Sequence, residues 1–155
     1  MSRRLRIGVL HGPNLNLLGR RDPAHYGELT LEALDRLLEE RAESHGAELV
    51  FLQSNHEGEL IDWLHEHMVD VEGWIVNPGA LGHTSYALRD ALAATGRPFV
   101  EVHLSNVYAR EPFRGRSVLA EIALGVVAGF RARGYLIALD AMVDHLTSPV
   151  QGASG

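Results

Sequence analysis

The feature that most constrains the fold is the regular alternation of short apolar runs with amphipathic helical patterns. Runs rich in Val, Ile, Leu and Phe predict five buried strands: Leu5–Leu10, Glu48–Gln53, Gly73–Asn77, Pro98–Leu104 and Gly125–Gly129. Apolar residues at helical spacing predict four helices: Leu31 to Ala42 after a Thr30 cap, Leu60 to Met68, Leu88 to Leu92 after Thr84, and Tyr135 to Leu146. Such alternation predicts an α/β fold, a single doubly wound domain with a flavodoxin-like five-stranded parallel sheet and helices on both faces.

The chain shows no linker or internal repeat that would divide it. Its 155 residues are enough for one hydrophobic core. We therefore expect one domain over residues 1–146 and a disordered tail over 147–155, which is rich in Ser, Pro and Gly. Gly46 and Gly96 stand where two of the helices should end.

Two missing residue types exclude several classes of chemistry. The chain has no Cys, and all 14 of its basic residues are Arg. Without Lys there is no Schiff base, pyridoxal phosphate linkage or P-loop lysine, and without Cys there is no thiol nucleophile or thiolate metal site. A formal charge of −6 with interleaved signs argues against nucleic-acid and anionic-membrane partners. No apolar run approaches the ~20 residues of a membrane span, and the start MSRRLRIGVL lacks a signal pattern, so we expect a cytoplasmic protein.

Polar side chains follow three of the predicted strands at the edge where such sheets bind ligands. The first strand leads into HGPNLN and then into a loop bounded by Gly19 and Gly27. The third strand ends in NPGA and continues to HTS, and the fourth runs through EVHLSN toward Arg110 and Arg114. The sequence therefore predicts one crevice supplied with amides, imidazoles, hydroxyls and guanidinium groups.

Four of these segments also resemble motifs of one enzyme family. GPNLNLLG with RRDPAHYG, then QSNHEGELIDWLHE, NPGALGHTSYALRDAL and EVHLSNVYAREPFR are similar in order and spacing to the motifs of type II 3-dehydroquinate dehydratases. The resemblance extends to about Leu146, with Asp22 and Gly82 where the family more usually has Glu and Thr. It implies a cofactor-free lyase that dehydrates 3-dehydroquinate to 3-dehydroshikimate through an enolate, in the shikimate pathway or in quinate breakdown.

The resemblance also implies roles in proton transfer. Tyr26 matches the family's base and has to act as a phenolate, which the guanidinium of Arg21 would stabilise once a closed loop excludes water. His103 matches the general acid, and Glu101, two residues earlier on the same strand face, would orient its ring. Asn14 matches the residue that holds a water near the enolate oxygen. No metal and no cofactor are implied.

A second set of residues would bind the substrate, according to the resemblance. Asn77, His83 and Arg114 would bind the ring hydroxyls. Leu104 and Ser105 would bind the substrate carboxylate, and Asp90 would reach the site of a neighbouring subunit. The implied assembly is a homododecamer built as a tetramer of trimers.

Each residue also has an ordinary structural interpretation. Tyr26 alone would be a surface aromatic residue, His103 a hydrogen-bonded core histidine, and Asn14 and Asn77 turn residues. Arg110 and Arg114 could be surface charges, and His65 with His67 a metal pair, although i,i+2 positions on a helix diverge. The alternative function is a non-catalytic flavodoxin-like ligand-binding or scaffold protein. The absence of G-x-G-x-x-G, a P-loop, a strand-end phosphoacceptor Asp and G-x-S-x-G counts against other enzyme and signalling classes.

Overall fold

The computed structural model describes residues 4–20 and 29–148, and within them five strands form one parallel sheet. The strands are β1 (Leu5–His11), β2 (Ala47–Gln53), β3 (Gly73–Asn77), β4 (Phe99–His103) and β5 (Gly125–Ala128). Their spatial order is β2-β1-β3-β4-β5, and every neighbouring pair is parallel. The predicted doubly wound, flavodoxin-like α/β fold is confirmed.

Four α-helices cover the two faces of this sheet in the described part of the chain. They are α1 (Leu31–Ser44), α2 (Glu57–His67), α3 (Tyr86–Thr95) and α4 (Ala132–Thr147). The apolar sides of α1 and α4 form one core layer with Ile7, Val9 and Ile75 of the sheet. The apolar sides of α2 and α3 form the opposite layer with Leu10, Trp74 and other strand residues. Helices therefore lie on both faces, as predicted.

The first residues of two helices show how side-chain capping decides where each helix begins. The Thr30 hydroxyl accepts a hydrogen bond from the Ala33 amide at 3.2 Å, which confirms the predicted cap of α1. The predicted start of α3 after Thr84 is wrong by one residue, because the Ser85 hydroxyl accepts the Leu88 amide at 2.9 Å. Thr84 instead ends the preceding 3₁₀ turn at Gly79–His83.

The helix ends agree with the glycine prediction, and the last helix runs slightly further than expected. Gly46 and Gly96 have φ of 70° and 67°, the left-handed region in which glycine commonly ends helices. α4 includes Thr147, whose hydroxyl donates to the Val143 carbonyl at 2.8 Å, so the predicted tail does not begin there. Residues 149–155 lie outside the described part. No described helix is long and apolar enough to cross a membrane, and the cytoplasmic location stays a prediction.

Strand alternation decides which polar side chains face which helix layer. His11 points to the same side as Ile7 and Val9 of β1, toward α1 and α4. Glu101 and His103 share the opposite side of the sheet with Phe99, which packs in the layer of α2 and α3. Two buried polar groups therefore approach the carboxyl edge of the sheet from opposite faces.

Candidate active site

A cavity of about 590 Å³ opens at the carboxyl ends of β1, β3 and β4. Parallel sheets bind ligands at this edge, where the crossovers from neighbouring strands leave in opposite directions. Seven of the residues to which the family resemblance assigns a role line the cavity: Asn14, Asn77, His83, His103, Leu104, Ser105 and Arg114. The predicted convergence of three strand ends on one crevice is confirmed.

A buried histidine–carboxylate hydrogen bond lies behind the cavity wall at the end of β4. The His103 Nε2 atom lies 2.5 Å from Glu101 Oε2, and Glu101 is only 1% exposed. Because a carboxylate can only accept, Nε2 carries the hydrogen and Nδ1 is the ring nitrogen left to exchange a proton with a ligand. This arrangement orients the imidazole ring.

Ser117 completes this pair from a distant segment and was missed in the sequence. Its hydroxyl donates to the second Glu101 oxygen, Oε1, at 2.8 Å. The same hydroxyl oxygen accepts the backbone amides of Leu119 and Ala120, both at 3.0 Å. Ser117 therefore has one fixed hydroxyl direction, and both oxygens of the buried carboxylate are hydrogen-bonded. No motif or periodicity marks this serine, because its partner lies 16 positions away across a loop.

His83 also lines the cavity, and one of its ring nitrogens has a backbone partner. Its Nδ1 is 2.7 Å from the Arg116 carbonyl, so Nδ1 donates and Nε2 is left as an acceptor toward the cavity. The ring also packs edge-on against Phe113, with centroids 5.6 Å apart. A neutral imidazole in this state can accept a hydrogen bond from a ligand hydroxyl.

Three arginines line the cavity and give it positive charge. Arg114 donates to Glu111 Oε1 at 3.0 Å and lies over the Phe113 ring at 4.8 Å. Arg110 donates to the Ser105 hydroxyl at 3.4 Å, so both arginines that the sequence places after β4 line the cavity. The third, Arg131, was not singled out in the sequence. Three cations around a small cavity favour an anionic ligand.

Asn14 lies on the rim in a turn conformation. Its φ of 73° is left-handed, which Asn tolerates better than most residues, and its backbone amide donates to Asn55 Oδ1 at 2.9 Å. Gln53 donates to the same Asn55 oxygen at 3.2 Å. Asn14 is therefore both a turn residue and a cavity residue, and Asn55, in the second motif, is the side chain that holds it.

Comparison with known proteins identifies the family. The family model described as Dehydroquinase class II matches residues 5–143. The 3-dehydroquinate dehydratase of Roseiflexus castenholzii is 55% identical over 88% of this chain and 87% of its own. That of Laribacter hongkongensis is 56% identical over 92% and 93%. A crystal structure of the type II dehydroquinase from Butyrivibrio crossotus gives a TM-score of 0.85 at 41% identity, covering 90% of this chain and 97% of that one.

The chain belongs to the class II dehydroquinase family. Several residues that the family resemblance singled out are not placed in the cavity by the described structure. Arg21, Tyr26 and the second loop boundary, Gly27, lie outside the described residues. Gly19, the first loop boundary, lines the cavity with a φ of 76°. Asp90 is exposed on α3 and does not line this cavity.

Two further residues singled out in the sequence, Gly82 and His67, have defined environments. Gly82 is buried, and its carbonyl accepts the Val118 amide at 2.8 Å. Added to Gly82, a Cβ would lie 2.8 Å from the Pro78 ring. His67, the last residue of α2, contacts Trp63 of the same helix and Asp70 beyond its end. Within residues 4–20 and 29–148, no group of three or more His, Asp or Glu could hold a metal ion.

We expect the free energy of unfolding of Arg131→Gly to be about 1 kcal/mol higher than that of Arg131→Ala in this dehydroquinase. Arg131 has φ 55° and ψ −143°, a region that glycine tolerates and that costs other residues about 1–3 kcal/mol. The greater freedom of unfolded glycine offsets roughly 0.5–1 kcal/mol of this relief. Arg131→Ala is the matched control, because it removes the same side chain but keeps the unfavourable backbone. Equal stability of the two variants in urea unfolding would contradict the strain argument.

Proposed function

We propose that this chain dehydrates 3-dehydroquinate to 3-dehydroshikimate through an enolate intermediate, as a cofactor-free hydro-lyase of the shikimate pathway or of quinate breakdown. The observation that carries the proposal is the buried Glu101–His103 pair at the wall of a positively charged cavity, in a chain of the class II dehydroquinase family. An acid that can return a proton at neutral pH, set beside a cavity for an anion, fits the loss of water from a hydroxylated keto acid.

The proposed reaction needs one base and one acid. The Tyr26 phenolate removes a proton from the carbon beside the ketone, and the electron pair moves to the ketone oxygen to give an enolate. Asn14, on the cavity rim, would hold a water that hydrogen-bonds to that oxygen. When the enolate collapses, the new C=C bond expels the β-hydroxyl group. That group takes the proton of His103 and departs as water, after which the tyrosine and the imidazole return to their starting states through solvent.

The other cavity residues would orient the ring. The backbone amides of Leu104 and Ser105, with the Ser105 hydroxyl, are proposed to bind the substrate carboxylate, and Arg110 adds charge to the same place through its bond to Ser105. The ring hydroxyls would be bound by Asn77, His83 and Arg114. The acceptor nitrogen of His83 and the guanidinium of Arg114 are hydrogen-bonding groups of opposite sense on one wall, which suits hydroxyls that both donate and accept.

The base is the demanding part of the mechanism. A tyrosine with a pKa of about 10 is only ~0.1% ionised at neutral pH, and lowering that value by ~2 to 3 units needs roughly 3 to 4 kcal/mol. One guanidinium supplies about 1 kcal/mol at 4 Å in water and about 4 kcal/mol at an effective dielectric of 20. Arg21 is therefore sufficient only if water is excluded, and Arg114 adds to the positive field from the cavity wall.

We also propose that the chain assembles as a homododecamer built as a tetramer of trimers. Asp90 would reach the site of a neighbouring subunit from α3, where its side chain is exposed. No nucleic-acid or membrane partner is proposed. Light scattering after gel filtration checks the proposal, since a dodecamer of 17.0 kDa chains elutes far from a monomer or trimer.

The proposed activity is tested with purified protein and 3-dehydroquinate. We expect an increase in ultraviolet absorbance as the conjugated enone forms. Borohydride added with substrate should neither inactivate the protein nor leave an adduct, because the chain has no Lys to form an imine. A trapped adduct would contradict the enolate route. Binding without turnover would instead favour the non-catalytic alternative.

A further inference from the structure

A buried polar network connects the cavity to α1 and α4 and is not part of the proton-transfer machinery. His11, at the end of β1, is 0% exposed and bridges two helices. Its Nδ1 lies 2.9 Å from the Tyr135 hydroxyl of α4, and its Nε2 lies 2.8 Å from Asp35 Oδ1 of α1. Asn77 pairs with His11 in the register of β1 and β3 and faces the same layer.

The direction of each hydrogen bond in this network follows from the groups involved. Asp35 accepts as a carboxylate, so His11 carries its hydrogen on Nε2 and presents an acceptor at Nδ1. Burial raises the pKa of Tyr135 well above its usual range, so the phenol stays protonated and donates to that nitrogen. The Tyr135 oxygen then has lone pairs directed toward Asn77.

The Asn77 carboxamide is held from both sides as a result. Its Oδ1 accepts the Gly79 amide at 3.1 Å, which leaves the NH₂ group on the other side. That group is placed to donate to the Tyr135 oxygen. A flipped carboxamide would put its oxygen against the lone pairs of Tyr135 and its NH₂ against the Gly79 amide. Asn77 therefore has one favourable orientation, and it is fixed before any ligand arrives.

We propose that Asp35, His11 and Tyr135 are positioning residues that fix the Asn77 carboxamide in its ligand-binding orientation. The proposal rests on the proposed binding of a substrate ring hydroxyl by Asn77. It extends the site beyond the cavity wall to α1 and α4, neither of which supplies the residues that transfer protons. Because Asn77 would contact ring hydroxyls and not the reacting atoms, the network should affect substrate binding more than the chemical step.

Tyr135→Phe is the first test. The ring stays and only the hydroxyl is lost, so Asn77 loses its acceptor and can turn. We expect KM to rise about tenfold, which corresponds to the loss of about one hydrogen bond, while kcat stays within about threefold. Tyr108→Phe is the matched control, because Tyr108 is 74% exposed and does not line the cavity. Unchanged KM in Tyr135→Phe would overturn the proposal.

Asp35 provides a second test that does not disturb the core, since its side chain is 24% exposed. Asp35→Ala removes the acceptor that holds the hydrogen on His11 Nε2. The ring can then adopt the other tautomer, in which Nδ1 carries the hydrogen and donates toward Tyr135. We expect KM to rise severalfold. Asp35→Asn should restore most of the binding, because the amide oxygen still accepts from Nε2. Equal KM values in the two variants would overturn the proposed tautomer control.

A double-mutant cycle separates this proposal from the role of Asn77 itself. If the hydroxyl of Tyr135 acts through Asn77, Tyr135→Phe should have little further effect on KM in an Asn77→Ala background. Additive effects would overturn the positioning role while leaving the role of Asn77 intact. An unchanged KM in Asn77→Ala alone would instead refute the proposed binding of the ring by Asn77, and the positioning role with it.

Discussion

His103→Gln is expected to lower kcat by about 10²- to 10⁴-fold, the usual contribution of a general acid. Glutamine cannot be titrated, so the departing hydroxyl would leave without a proton donor. Its Nε2 can still donate to Glu101, which keeps the buried carboxylate paired and the fold intact. KM should change little, because the lost interaction is made in the transition state. The measurement is the steady-state rate of enone formation, together with thermal unfolding of the same sample.

Ser117→Ala is the companion variant, and it tests the hydrogen bonds behind His103. It leaves one oxygen of a 1% exposed carboxylate without its hydroxyl donor, which costs about 1–3 kcal/mol in the folded protein. We expect a smaller decrease in kcat than for His103→Gln, with the imidazole still present but less firmly held.

A kcat for His103→Gln close to that of the unchanged protein would show that another group protonates the departing hydroxyl.

The sequence predicts much of this fold because strands and helices have different patterns of apolar residues. Apolar runs bounded by glycine or proline predicted β3 and β4, which are buried along their whole length. Apolar residues at helical spacing predicted α1, whose buried positions are Leu31, Leu34, Leu38 and Ala42. The start of α3 was misplaced because Thr84 and Ser85 are both capping residues, and only the hydrogen bond to Leu88 distinguishes them.

The site was predictable to the extent that it follows strand ends. Asn77 and His103 end β3 and β4, and parallel strands bring such residues to one edge. The contacts that depend on helix packing and on unusual backbone conformation were not predictable in the same way. His11 and Tyr135 are 124 positions apart, and their hydrogen bond depends on how α4 packs on the sheet. Likewise, Arg131 reaches the cavity through a backbone conformation that its residue type does not favour.

The two buried hydrogen-bond networks lie on opposite faces of the sheet and orient different side chains. Under α2 and α3, Ser117 and Glu101 orient the imidazole that would transfer a proton. Under α1 and α4, His11 and Tyr135 orient the amide that would hold the ring. Each network reaches the cavity at the end of a different strand. Variants of Ser117 or Glu101 should therefore change kcat, and variants of His11 or Tyr135 should change KM.

Tyr26→Phe should have an effect as large as that of His103→Gln, a decrease in kcat of about 10²- to 10⁴-fold. The ring remains and only the atom that accepts the proton is lost, so KM should stay within about threefold. Tyr108→Phe is the matched control, because Tyr108 is 74% exposed and does not line the cavity. Substantial turnover in the Tyr26 variant would mean that a different group removes the proton.

Arg21→Ala distinguishes a tyrosine made acidic by charge from one that is a base for another reason. A phenolate base gives a rate that rises with pH through its pKa, so loss of a stabilising cation raises that pKa and moves the acidic limb of kcat/KM to higher pH. A shift of one unit corresponds to about 1.4 kcal/mol of lost stabilisation of the anion. An unshifted limb would mean that the arginines of the cavity wall, Arg110, Arg114 and Arg131, supply the field without Arg21. Single substitutions at each of the three would then locate the charge on which the base depends.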